Sequence, residues 1–407
     1  MIHCLLGNNS SINDEVSTMT VSNHVRILDN NGQPYTYRVK GQRSWSVPPS
    51  PVFNRHVFAA AHVVTDPRKM RDPSHDIAID WEATLEYRRY LMSLGFGVAE
   101  AMDTAQRGMG LDWPTSLELI QRSVEQAKDF PGIAVASGAG TDHLSDFSAL
   151  TLQDVIDAYE QQISAIEACG GRIILMASRA LAAIAKGPDD YIRVYDTVLR
   201  QVRDPVIIHW LGDMFDPALR GYWGSEHIHS AMEICLSVIQ RHQAKIDGIK
   251  ISLLDKEREI EMRRQLPATV KMYTGDDFNY PELIAGDAQG YSHALLGILD
   301  AIAPAAAGAL HALAQGDRQQ YQQILTPTLP LARHIFARPT QYYKAGIVFL
   351  AWLNGHQHHF TLLGGMESAR SLTHYSELFR LADEAGLLND IDVATERMSL
   401  LAKLQGI

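Results

Sequence analysis

From about residue 56 the chain settles into a rhythm that leaves few folds open: short apolar runs bounded by Gly, Pro or Asp alternate with amphipathic stretches long enough to be helices. Eight runs read as strands: VFAAAHVV, FGVAEAM, GIAVASG, RIILMAS, PVIIHW, GIKISLL, TVKMYTG and HALLGIL. Between them lie segments such as DWEATLEYRRYLMSLG, PTSLELIQRSVEQAKDF, TLQDVIDAYEQQISAIEACG and DDYIRVYDTVLRQV, each long enough to cross over a parallel strand. Eight such βα units favour a closed (β/α)₈ TIM barrel. A doubly wound open sheet is the alternative, but no GxGxxG follows the first strand, so nothing marks a dinucleotide site.

The barrel accounts for only part of 407 residues. Residues 1 to about 18 are polar and aperiodic and read as disordered, or as an upstream start ahead of Met19. HVRILDNNGQPYTYRV alternates on both sides of an Asn-Asn-Gly turn, a β-hairpin expected to decorate one end of the main domain, and SVPPSPVF closes it off. After about residue 305 only helical patterns remain. The division expected is therefore an N-terminal β-hairpin extension over 1–50, the barrel over 51–305 and a C-terminal helical region over 306–407. That last region carries Tyr342, Tyr343, Phe349 and Trp352, which need a surface to cover, first by packing on the barrel.

Composition narrows the partners. At 46% apolar and 20% charged residues the chain can bury a large core, and a net charge of −11 without a dense Lys/Arg run argues against nucleic acid. The three cysteines, Cys4, Cys169 and Cys235, have neither zinc nor disulfide spacing. No run reaches the roughly 20 apolar residues of a membrane span. A cytoplasmic protein acting on a small molecule, without membrane or nucleic-acid partner, is expected.

Active sites of such barrels sit at the carboxyl ends of the strands. Lys250 stands out there because it interrupts the apolar run DGIKISLL. Burial favours the neutral amine, which can attack a carbonyl to form an imine. The other reading is a structural lysine paired to a carboxylate such as Asp276. His209 ends an equally apolar strand beside Trp210, as a proton-transfer group or a hydrogen-bonded core histidine. Asp103, Thr104, Arg107, Ser137, Ser178, Ser252, Asp276 and Asp277 lie at strand ends and are the candidate substrate contacts. Asp276 and Asp277 read equally as a helix cap or as metal ligands. His356, His358 and His359 in NGHQHHF have no carboxylate or cysteine at ligand spacing, and no metal is assigned to them.

The order of these motifs resembles the dihydrodipicolinate synthase and N-acetylneuraminate lyase family of Schiff-base aldolases. DPVIIHWLGD is similar to that family's fifth strand, DGIKISLLD to its lysine strand, and TVKMYTGDD to its seventh strand; the likeness runs over about residues 56 to 390. It implies an imine between Lys250 and a 2-oxo acid, serving as electron sink for breaking or making a carbon–carbon bond or for losing water. It needs no cofactor, and it implies a homodimer or homotetramer. Three departures stand out. His209 occupies the place of the family's tyrosine, EAMDTAQRG replaces the Gly-Thr-Thr-Gly-Glu loop that holds the keto-acid carboxylate, and Met214 and Phe215 stand where the synthase branch has an arginine. Dihydrodipicolinate synthesis itself is therefore not expected. Two other functions stay open: a metal-dependent lyase or hydrolase using Asp276 and Asp277, and a ligand-binding barrel without catalysis.

Overall fold

The computed structural model describes residues 23–407; the reading of residues 1 to 18, and Cys4 with it, lies outside them. Among the described residues ten strands form two sheets. β1 (His24–Leu28) and β2 (Pro34–Arg38) make an antiparallel hairpin. Its turn is closed by the Asp29 carboxylate, which accepts from the Asn31 and Gln33 amides, and by Gly32 at φ +76°.

The other eight strands are parallel and close on themselves: β3 (Val57–Ala60), β4 (Gly97–Glu100), β5 (Val135–Ala139), β6 (Arg172–Leu175), β7 (Val206–Leu211), β8 (Ile246–Ser252), β9 (Lys271–Thr274) and β10 (His293–Leu296), with β10 pairing back to β3. Each coincides with one of the eight apolar runs, five lying wholly within it and β5, β7 and β8 extending one or two residues beyond. Crossover helices cover the outside, and acidic or hydroxyl residues start several of them. Asp80 caps Trp81–Ser93, Asp112 caps Trp113–Ala127, and Thr151 forms a reciprocal capping box with Asp154 at Leu152–Ala168.

Alternation along the strands divides the core in two. Phe58, Ala60, Ala99, Ala136, Ile174, Met176, Ile207, Tyr273 and Leu295 fill the barrel interior. Neighbours of opposite parity, such as Ile173, Ile208, Ile249 and Ile251, join the larger layer between strands and helices.

The C-terminal region is helical as expected, and its first stretch, AAGALHALAQGDRQQYQQIL, is split between the helices Ala303–Ala314 and Arg318–Leu325, because Gly316 takes φ +84° and Asp317 caps the second. The hairpin sits on the last two long helices, Leu372–Glu384 and Ile391–Leu404, rather than on an end of the barrel. There the Asp383 carboxylate accepts from Tyr37 Oη (2.7 Å) and from the Lys40 and Gly41 amides (2.8 and 2.9 Å). Every residue of the helix Tyr343–Leu353 is buried, so Tyr343, Phe349 and Trp352 are covered within the chain.

Candidate active site

The carboxyl end of the barrel is where β7, β8 and β9 deliver their polar residues. The register places His209 directly beside Lys250, and Lys250 beside Tyr273. With Ile249 and Ile251 turned to the helix layer, Lys250 and Ser252 face inward. Gly275, just past β9, makes the room: a Cβ there would lie 2.8 Å from Lys250 Cε, 2.3 Å from Ser252 Oγ and 2.6 Å from the Ile251 carbonyl oxygen.

Lys250 is 7% exposed, and its amine makes no hydrogen bond among the described residues. Burial pulls its pKa below the ordinary lysine value, while the charges of Asp103 and Asp277 pull back. Its electrostatic partners are thus Asp103 and Asp277, not Asp276. His209 is buried with Nε2 3.2 Å from Ser252 Oγ. Burial first, and the Lys250 charge second, hold its pKa well below the usual histidine value, so the ring is neutral. Asp277 accepts the Ile298 amide at 2.8 Å. Burial nevertheless pushes its carboxyl up to about 7 against that bond and the Lys250 charge.

A cavity of about 100 Å³ opens at this end, lined by Asp103, Arg107, Asp142, Met176, Arg179 and His209 among others. That is room for a small organic molecule, since one water needs roughly 10–15 Å³ on this measure.

Several sequence candidates are placed elsewhere or are already occupied. Ser137 follows the inward Ala136 and so turns to the helix layer, where its Oγ is buried without a partner. Ser178 caps the short helix Arg179–Ile184 and bonds Thr141 Oγ1 at 2.6 Å. Asp276 spends both oxygens on the turn that follows it, accepting the Phe278 and Asn279 amides and Asn279 Nδ2. Arg107 lines the cavity, yet its guanidinium is fully engaged. Nε and Nη2 donate to Asp142, Nη2 also to Gln162, and Nη1 to the Ala101 and Gly138 carbonyls, which uses all five donors. Thr104 bonds Tyr343 Oη at 2.8 Å.

Of two polar groups on the C-terminal helix Tyr343–Leu353, sequence reasoning gave Tyr343 only a packing role and passed over Lys344. The hydroxyl of Tyr343 feels the charges of Asp103 and Asp277, and Lys344 feels that of Asp103. The signal was present: Lys344 interrupts YYKAGIVFLAWL as Lys250 interrupts its strand. Among the described residues no three His, Cys, Asp or Glu side chains converge as metal ligands would. His356 packs instead on Tyr87 and Tyr90, and His359 Nε2 meets the Thr65 carbonyl oxygen. No helix among the described residues is long and apolar enough to cross a membrane.

A closed parallel barrel with a buried lysine on its sixth strand defines a (β/α)₈ protein of the dihydrodipicolinate synthase fold. The chain belongs to the family described as "Protein of unknown function (DUF993)", whose model matches residues 25–407. Dihydrodipicolinate synthase from Aquifex aeolicus is 13% identical with a TM-score of 0.62, over 83% of this chain and 100% of that one. YagE, a prophage protein of the dihydrodipicolinic acid synthase family from E. coli K12 solved in complex with pyruvate, is 13% identical with a TM-score of 0.60, over 87% and 99%. Chloride-inhibited dihydrodipicolinate synthase from Acinetobacter baumannii, complexed with pyruvate, is 14% identical with a TM-score of 0.56, over 82% and 99%. At these identities the likeness is one of fold, and on fold the resemblance read from the sequence is borne out. No curated protein matches by sequence.

Proposed function

We propose that this chain is a Schiff-base-forming lyase or aldolase that acts on a 2-oxo acid or a sugar-acid-derived oxo compound through Lys250. The observation that carries the reading is a buried, inward-facing lysine amine that donates no hydrogen bond among the described residues and stands beside His209, which lines a cavity at the carboxyl end of the barrel. Its lone pair attacks the substrate carbonyl carbon, and the carbonyl oxygen takes up protons and leaves as water. The cationic imine then accepts the electron pair of the carbon–carbon bond that breaks or, in a dehydration, that of the α carbon–hydrogen bond whose proton a base removes, after which the enamine expels the β-oxygen as water. Reprotonation and hydrolysis return the amine.

Neutral His209 is placed to accept a proton beside the nitrogen, and Asp277, which holds its own proton up to about pH 7, can supply one to the departing oxygen. The imine is itself the electron sink, so the scheme calls for no further cofactor. A metal-dependent reading has less support, because Asp276 is committed to backbone amides and Asp277 holds a proton. A cytoplasmic homodimer or homotetramer belongs to the same proposal, and light scattering that found only monomer would remove that part.

The test is borohydride reduction in the presence of a panel of 2-oxo acids, followed by peptide mass mapping. A ligand-sized increment on the peptide that contains Lys250, absent from Lys250→Ala, is the expected result. The absence of any adduct across the panel would refute the assignment.

A further inference from the structure

The acidic side chains on the cavity wall are Asp103, Asp142 and Asp216, and the arginines are Arg107 and Arg179. Asp142 accepts from Arg107 and from Gln162 Nε2, and Asp216 accepts from Arg179 Nε at 2.5 Å and from the Ala218 amide. Asp103 differs from both. Its carboxylate accepts no hydrogen bond and makes no ion pair among the described residues, while its backbone carbonyl accepts the Gln106 amide.

The backbone around Asp103 is held far more tightly than its side chain. Asp103 opens the short turn Asp103–Ala105 that follows β4. Ala101 and Gln106, on either side of that turn, take left-handed φ angles of +51° and +64°, a costly conformation for a residue with a Cβ. Neighbouring segments hold them there. Arg107 Nη1 donates to the Ala101 carbonyl oxygen at 3.3 Å, and the Gln106 side chain exchanges two bonds, of 2.8 and 3.2 Å, with the Leu363 backbone. Between them Thr104 bonds Tyr343 Oη. A carboxylate on a fixed turn, lining a cavity and lacking a donor, is an acceptor made ready for a ligand.

The same wall has donors to spare. Arg179 Nη1 gives one proton to the Gly108 carbonyl oxygen at 3.1 Å, which leaves Nη2 and the second Nη1 proton without a partner among the described residues. A ligand that satisfies this wall must therefore donate to Asp103 and accept from Arg179. A carboxylate can only accept, and it would meet three fixed carboxylates against two arginines. An ammonium can only donate. A hydroxyl does both and brings no charge.

We infer that Asp103 binds hydroxyl groups of the ligand while Arg179 donates to their oxygens, so that this wall of the cavity takes the polyhydroxylated part of a small molecule. Resting on the imine reading above, this makes the substrate an oxo compound with several hydroxyl groups, whose hydroxyl-bearing carbons reach Asp103 while Lys250 attacks the carbonyl. The segment EAMDTAQRG then has the opposite task from the carboxylate-holding loop it replaces.

The probes are unreactive polyols, so the measurement does not depend on imine formation. The full-length protein is titrated with erythritol, xylitol and sorbitol, each against the terminal diol of the same carbon count, by saturation-transfer NMR, which reads weak binding. At least one polyol is expected to bind about tenfold or more tightly than its diol, with an affinity that added salt leaves unchanged because the ligand is neutral. Asp103→Ala should weaken that polyol by about tenfold or more, the usual worth of a hydrogen bond to a charged group. Its carboxylate bonds nothing within the chain, so the variant should melt as the wild type does. The isosteric Asp103→Asn, which keeps one acceptor oxygen, should weaken binding by a smaller factor. No preference for any polyol over its diol, or equal affinity in Asp103→Ala, overturns the inference, as does tighter binding of butyrate or butylammonium than of every polyol. Failure to trap an oxo acid on Lys250 would instead sink the lyase reading and leave the polyol titration standing.

Discussion

Lys250 and Glu259 lie on opposite sides of the barrel wall, and burial pushes both towards their neutral forms. For Lys250 the consequence is kinetic. The amine is reactive when unprotonated, so the rate of borohydride-trapped adduct formation should rise with pH and level off below the ordinary lysine value of 10.5. A profile still climbing above that pH would mean that Lys250 is solvated as any surface lysine is. For Glu259 the consequence is thermodynamic. Its carboxyl, bonded to Ser292 Oγ and Thr274 Oγ1, is pushed by burial from 4.5 up to about 8. The folded state then holds a proton that the unfolded chain releases above about 4.5, so this group's stabilising contribution is present at low pH and is lost as pH rises towards 8. Glu259→Gln keeps the bonds without the charge. It should raise the urea midpoint at pH 8 by the equivalent of a few kcal/mol and leave it nearly unchanged at pH 5. Equal shifts at both pH values would contradict a buried protonated acid.

Among the elements, β8 and β9 do most to define the site, because their register decides which residues share the barrel interior. Lys250, Ser252 and Gly275 face inward, while Ile251 and Thr274 face the helices. The Lys250 side chain crosses over Gly275, so Gly275→Ala places a methyl against Lys250 Cε, Ser252 Oγ and a strand carbonyl. Adduct yield on Lys250 is expected to fall by at least about tenfold, consistent with the cost of overpacking, while circular dichroism remains that of the barrel. Wild-type trapping in Gly275→Ala would show that the lysine does not take this path. Strand ends are also where sequence reading went astray. Ser137 and the inward Ala136 are neighbours in sequence on opposite faces of one strand, and only the closed sheet tells which face is interior. Arg107, read from the sequence as a substrate contact, lines the cavity, but its five hydrogen bonds go to Asp142, Gln162 and two carbonyls that sequence does not bring together.

At the scale of the whole molecule the two ends of the chain are tied to each other. Asp383, on a C-terminal helix, holds three donors from the N-terminal hairpin and the residues after it. Asp383→Ala should cost about 2–4 kcal/mol in urea unfolding, since it strands a buried tyrosine hydroxyl and two amides. Lys250 should remain open to trapping, because the hairpin packs on the last two long helices. Loss of trapping in that variant would mean that the hairpin supports the site after all. The same C-terminal region puts the Tyr343 hydroxyl 2.8 Å from Thr104 Oγ1 and the Lys344 amine 3.2 Å from Met109 Sδ, so the helical region packs on the segment that follows β4. What the sequence determined by itself was the barrel, the strand that carries the lysine and the amine's apolar surroundings, because these are encoded in local periodicity and in one charged residue set in an apolar run. Tertiary structure alone decided which strand-end residues have free polar atoms, which are spent on capping, and that a lysine some ninety residues from Lys250 shares its counter-ion. Hydrogen-bond saturation and electrostatic neighbourhood depend on distances between segments remote in sequence, and no local pattern records them.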